Sequence, residues 1–238
     1  MRFAAILIVV ALATSVAVAA PKLATSGSIS QSGGAEWESE KQVVVKWTQL
    51  PDAGGVGITS EQSAALGIVS ESADDFLCTD GAPIVAVEWW GVDYTGGVID
   101  YFIIRFYTDE PGPPASHPGT LVYEQECHAF TQELMPGQFD RYRYYAVLPS
   151  AFDQDGGTTY WISVQAVHPD EQWFWLECAD GQFWNHAGVV RSEYFGYPDW
   201  VTVAEATGTC REFAYVLYAD VTSPVESTTW GGVKAMFR

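Results

Sequence analysis

Basic residues are scarce in this chain: 11 lysines and arginines stand against 30 aspartates and glutamates, for a formal net charge of −19. Only four of the cations are lysines. A surface so charged repels nucleic acid and anionic membranes and suits cations, neutral sugars or basic partners. The common signatures of chemistry are also missing. There is no G-x-S-x-G nucleophile elbow, no H-E-x-x-H helix and no Gly-Lys phosphate loop, and the four histidines are isolated. No two cysteines form a C-x-x-C and none has a histidine at finger spacing, which argues against a zinc site. Beyond the first 18 residues no apolar run is long enough to cross a bilayer, so no transmembrane segment is expected in the mature chain.

At the N-terminus, Met1 and Arg2 precede an almost unbroken apolar stretch over 3–18, and Ala17, Ala19 and Ala20 supply small residues for cleavage. This reads as a secretory signal peptide over 1–19, which places the mature protein outside the cell or at its surface, with the periplasm as the alternative. Loss of Arg2 leaves the mature chain one unit more acidic. Residues 20–40, rich in Ser, Gly and Ala, read as a flexible linker. A single domain is expected over 41–222, followed by a tail over 223–238 that ends TTWGGVKAMFR. That tail is either a last packed element or a sorting or docking segment. In an oxidising compartment the even set Cys78, Cys127, Cys178 and Cys210 reads as two disulfides, with three pairings open.

What the sequence has in abundance is aromatic residues, at 14% with ten tryptophans, interleaved with turn residues. Segments 84–90, 99–107, 142–148, 158–167, 172–178 and 213–221 are β-branched or aromatic and bounded by Gly, Pro or Asp, and each predicts a strand. Strict alternation in the first would place Val85, Val87 and Trp89 on one face, with Ile84, Ala86, Glu88 and Trp90 on the other. The stretch 60–69 reads as one or two helical turns capped by Ser60, or else as a loop. Together these features predict an all-β fold, an antiparallel two-sheet sandwich of jelly-roll-like topology.

The series ADDFLC at 73–78, IVAVEWWG at 84–91, IDYFIIRFYTDEPGPP at 99–114 and GGTTYWISVQA at 156–166 resembles uncharacterised secreted bacterial β-sandwich modules. In these an ADDF-like strand start precedes a WWG strand and a YWxS strand. The resemblance spans about 47–220 and implies an extracellular jelly-roll-like module; it carries no catalytic residues with it.

Three sets of residues are candidates for a site. Trp173 with Trp175, on one face of a strand, and Trp89 with Trp90 are candidate platforms for stacking on sugar rings, against the alternative of core packing. Trp184 and Trp200 form a weaker third grouping. Asp153 and Asp155 in DQDGGTTY could aim oxygens at a hard cation such as calcium, against an ordinary hairpin turn. Asp74 and Asp75, adjacent on a strand, should face opposite ways, one as ligand or cap and the other in solvent. Glu88, Asp100 and Glu177 are the acids from which a glycosidase pair could be drawn. The expectation is a non-enzymatic extracellular sandwich serving adhesion, surface structure or carbohydrate binding, with an extracellular glycan or cell-surface component as partner. The alternative is a secreted polysaccharide hydrolase or lyase on the same architecture.

Overall fold

The computed structural model describes residues 43–94, 98–112, 115–169 and 172–220. The expected signal peptide, the linker over 20–40 and the tail over 223–238 lie outside the described residues. In chain order the strands are β1 (Val43–Gln49), β2 (Gly57–Thr59), β3 (Glu61–Ser63), β4 (Ile68–Cys78), β5 (Ile84–Asp93), β6 (Tyr101–Glu110) and β7 (His117–Cys127). They continue with β8 (Thr131–Leu134), β9 (Arg141–Phe152), β10 (Thr158–His168), β11 (Trp173–Leu176), β12 (Val189–Ser192), β13 (Tyr197–Thr202) and β14 (Tyr215–Asp220). All six expected strands are among them.

Two sheets stack as a sandwich. In the first, β5 is central: β9 then β8 lie along one edge, while β14 backed by β1, and further along β11 backed by β2, share the other. In the second the order is β13-β12-β4-β10-β6-β7, with the short β3 lodged against both β4 and β10. The β3–β10 pairing is parallel. Between the sheets, Val87, Trp89, Tyr144, Trp175, Tyr215 and Leu217 meet Phe76, Phe102, Ile104, Phe106, Ile162 and Val164. Each such side chain contributes about 1.5 to 3 kcal/mol by leaving water. Aromatic stacking orders the interior, with Phe106 on Phe152 at 4.3 Å and Trp89 on Tyr144 at 5.8 Å between centroids.

Strict alternation in β5 is broken where pairing with β9 slips between Ile84 and Ala86. The bulge turns Ile84 inward, so it joins Val87 and Trp89 in the core rather than Ala86, Glu88 and Trp90 on the outer face. The stretch 60–69 is instead the β3–β4 hairpin. Ser60 does not cap a helix: its hydroxyl donates to the Val164 carbonyl at 2.6 Å and accepts from the Ser72 amide at 3.1 Å, tying β3 into the second sheet. The one α-helix among the described residues, α1 (Val203–Thr207), carries a capping box of Thr202 and Glu205 and ends at left-handed Gly208. Its T-x-x-E signal, Thr202 to Glu205, stands in the sequence. No helix among the described residues is long and apolar enough to cross a membrane.

The cysteine expectation is corrected. All four are free thiols, with Cys78, Cys127 and Cys178 buried and Cys210 exposed. Three of them pair with different segments, Cys78 opposite Thr158, Cys127 opposite Phe102 and Cys178 opposite Pro51, while Cys210 lies in the segment ahead of β14. An even count cannot reveal such separation, because it carries no geometry. Burial pushes the Cys127 thiol up to about 11, and burial beside Asp74 pushes Cys178 up to about 12. Thiol titration should therefore modify one cysteine, Cys210, in the native protein and all four after denaturation without reductant. Finding no reactive thiol after denaturation would restore the disulfide framework.

Candidate functional site

The outer face of the first sheet, away from the core, carries an open cleft of about 430 Å³ lined by Val43, Glu88, Thr131, Glu133, Arg143, Tyr145 and Tyr218. Register explains this assembly. Glu88 on β5 lies opposite Tyr145 on β9, which lies opposite Thr131 on β8; one step on, Trp90, Arg143 and Glu133 form the next cross-strand row. Side chains two apart share a face, so these strands project their polar and aromatic members outward together.

Arg143 organises the cleft. Its Nε and Nη2 donate to the two oxygens of Glu88 at 2.8 and 2.7 Å, and its Nη1 reaches Glu133 at 3.2 Å. The Tyr218 hydroxyl donates to the same Glu88 carboxylate at 2.8 Å. Burial and that carboxylate push the Tyr218 phenol up to about 12, so it keeps its proton. The hydrogen bond to Glu88 likewise holds the charge of Arg143 more firmly than usual. Tyr145 and Tyr218 meet edge to face at 5.7 Å. The cleft thus presents two half-buried rings held in place, beside carboxylate and guanidinium groups with fixed orientation.

The tryptophan platforms are corrected. Trp173 and Trp175 do share a strand face, but that face is the inner one, and they are 1% and 0% exposed. Trp89 is also in the main core, while Trp90 is buried on the outer side beneath Phe183, Met135 and Phe174. Parity was legible; which side met water was not. Gly91 makes the inner placement possible, since a Cβ there would lie 2.4 Å from the Trp173 ring. Trp184 packs on Trp47 and Trp200 on Tyr107, so they do not form a pair.

The acids separate as well. Glu88 faces outward into the cleft, whereas Glu177 lies beyond β11, where it accepts from the Val56 amide at 2.7 Å and pairs with Arg211. Asp100 is exposed ahead of β6. The chain does not bring these three together as a glycosidase pair. Asp153 and Asp155 are exposed in the β9–β10 turn, where Gly157 is left-handed and the Asp155 amide donates to the Tyr160 hydroxyl at 3.1 Å. No group of three or more His, Cys, Asp or Glu that could hold a metal occurs among the described residues. Asp74 and Asp75 do face opposite ways, yet both are fully buried, so neither is the solvated partner expected.

A second polar cluster, on the outer face of the other sheet, is closed on itself. Glu71 accepts from Tyr107 at 2.7 Å and from Arg191 at 2.6 Å, and Arg191 lies 4.5 Å from the Trp200 ring that covers it. With Glu71 and Tyr107 buried and the three groups mutually satisfied, they lock strands together.

No curated protein and no solved structure matches the chain. A family model described as a domain of unknown function (DUF7901) matches residues 45–218, which takes in strands of both sheets and every cleft residue but Val43. The chain belongs to that family.

Proposed function

We propose that the protein is an exported, non-enzymatic β-sandwich that binds carbohydrate through the cleft between Tyr145 and Tyr218, in an adhesive or surface role. The observation that carries this reading is the pairing of two preset aromatic rings with a fixed Glu88–Arg143–Glu133 array in one open cleft. Sugar rings have apolar C–H faces and polar rims, and the cleft offers a counterpart to each. The tyrosine hydroxyl and the carboxylates have fixed positions, so little ordering cost is left for binding. An open cleft suits holding a polymer, which has no end to enclose.

The test is retention on insoluble cellulose, chitin and xylan. The parent should be retained by at least one of them, and Tyr145→Ala with Tyr218→Ala should abolish retention. Both rings are half-buried, so the double variant should still fold, with a melting temperature lowered by only a few degrees. Tyr194→Ala, at an exposed ring remote from the cleft residues in sequence, serves as control and should leave retention unchanged. Retention that survives in the folded double variant would sink the proposal.

A further inference from the structure

The cleft is one end of a longer surface whose layout follows from strand register. Val45 on β1, Tyr218 on β14, Ala86 on β5 and Val147 on β9 stand directly opposite one another and form a row across four strands. Three inter-strand steps of about 4.8 Å make that row about 14 Å long. Its ends are open, with Val45 57% and Val147 63% exposed, while Ala86 is buried and the half-buried Tyr218 ring carries the middle. Beside it runs the polar row of Glu88, Tyr145 and Thr131, and beyond that Arg143 and Glu133. The surface therefore has an apolar flank, a polar flank, and the Tyr145 and Tyr218 rings between them.

Charge narrows the occupant further. Among the described residues Arg143 is the one cation lining the cleft, and its guanidinium is committed to Glu88 and Glu133. Asp220, opposite Val43 at the end of β14, adds another acid nearby, and the whole chain carries −19. Among the described residues a uronate or sulfate group would meet two carboxylates and no uncommitted cation.

Building on the carbohydrate-binding reading, we infer that the ligand is a linear, uncharged polysaccharide laid across the strands over Val45, Tyr218 and Val147. Its C–H faces rest on Val45, Tyr218 and Val147, and its hydroxyl edge meets Thr131 and Glu133. Such a site fills progressively as the ligand lengthens and stops responding once the row is covered.

The experiment is calorimetric titration with neutral β-linked gluco-, xylo- and manno-oligosaccharides from monosaccharide to hexasaccharide, alongside uronate oligomers of matched length. Affinity for at least one neutral series should rise about tenfold or more up to the tri- or tetrasaccharide and then level off. Uronate oligomers should bind at least about tenfold more weakly. Val45→Ala with Val147→Ala should flatten the length dependence. A length-independent affinity, an unchanged length dependence in the valine variant, or equal or tighter binding of uronates would overturn the inference while leaving carbohydrate binding in place. If no oligosaccharide of any length binds and no polysaccharide retains the protein, both readings fall.

Discussion

Stability of the folded chain should fall as pH rises from about 4.5 to about 8, and Asp74→Asn should flatten that fall. Asp74 on β4 is wholly buried, and one of its oxygens lies 3.1 Å from the Gln49 amide nitrogen, which lies 3.1 Å from a Glu212 oxygen as well. The Phe213 and Trp184 amides also donate to the pair, at 2.7 Å each. None of these donors is a cation, and the neighbours Asp75, Cys178 and Tyr215 add no positive charge. Burial, with Glu212 and Asp75 close by, raises Asp74 well above the usual carboxylate range. Burial likewise raises Glu212 from 4.5 to about 8, and Asp75 from 3.8 to about 7.

A folded state with raised carboxyl groups holds protons that the unfolded chain has released. Its stability is therefore greatest below the ordinary carboxylate range and is lost as pH climbs through the folded values, at about 1.4 kcal/mol per pH unit for each proton of difference. Asp74→Asn keeps an oxygen for Gln49 and Phe213 but removes one charge, so the loss between pH 5 and pH 8 should shrink by about 1.4 kcal/mol for each pH unit over which Asp74 holds its proton. Asp74→Ala leaves those donors buried without an acceptor and should cost about 1 to 3 kcal/mol per group at every pH. Urea unfolding at about pH 5, 6.5 and 8 reads all three proteins. Parent stability that is flat or rising over this range would show that the pair does not hold a proton.

The same residues show where sequence reading stops. ADDF marked a strand start and its two acids fell on opposite faces as period-two geometry requires, but both faces of β4 turned out to be covered. Covering comes from segments far away in the chain, such as Gln49, Asn185 and Glu212, and no local pattern announces them. In the sequence Glu88 is one acid among thirty. Its partner Arg143 lies 55 residues on, and only the β5–β9 register brings them together. The cleft tyrosines could have been suspected from β9, where Arg143, Tyr145 and Val147 alternate with Tyr144, Ala146 and Leu148. With apolar residues on both sides, alternation there could not say which set faced water.

Trp175 provides the sharpest test of that inward–outward assignment. Its ring is 0% exposed, stacks on Phe213 at 4.6 Å with the planes 16° apart, and lies 6.0 Å from Tyr215. The indole nitrogen donates to the Ala214 carbonyl at 3.0 Å, so β11 is fastened to the segment leading into β14 by packing and by a hydrogen bond. Trp175→Ala should cost about 3 to 5 kcal/mol from lost burial and the cavity left behind, plus about 1 kcal/mol for the lost hydrogen bond. Against a typical stability of about 5 to 15 kcal/mol, that leaves the variant marginal or unfolded. Trp175→Phe retains an aromatic ring for the Phe213 stack and should cost clearly less than the alanine change. Both are read by urea unfolding followed by far-UV circular dichroism, with polysaccharide retention measured under conditions where the phenylalanine variant is folded. Retention should be unchanged in Trp175→Phe, because the ring faces the core and the cleft lies on the other side of the sheet. An alanine variant as stable as the parent but no longer retained would place Trp175 on the binding surface and reverse the assignment of the two faces of β11.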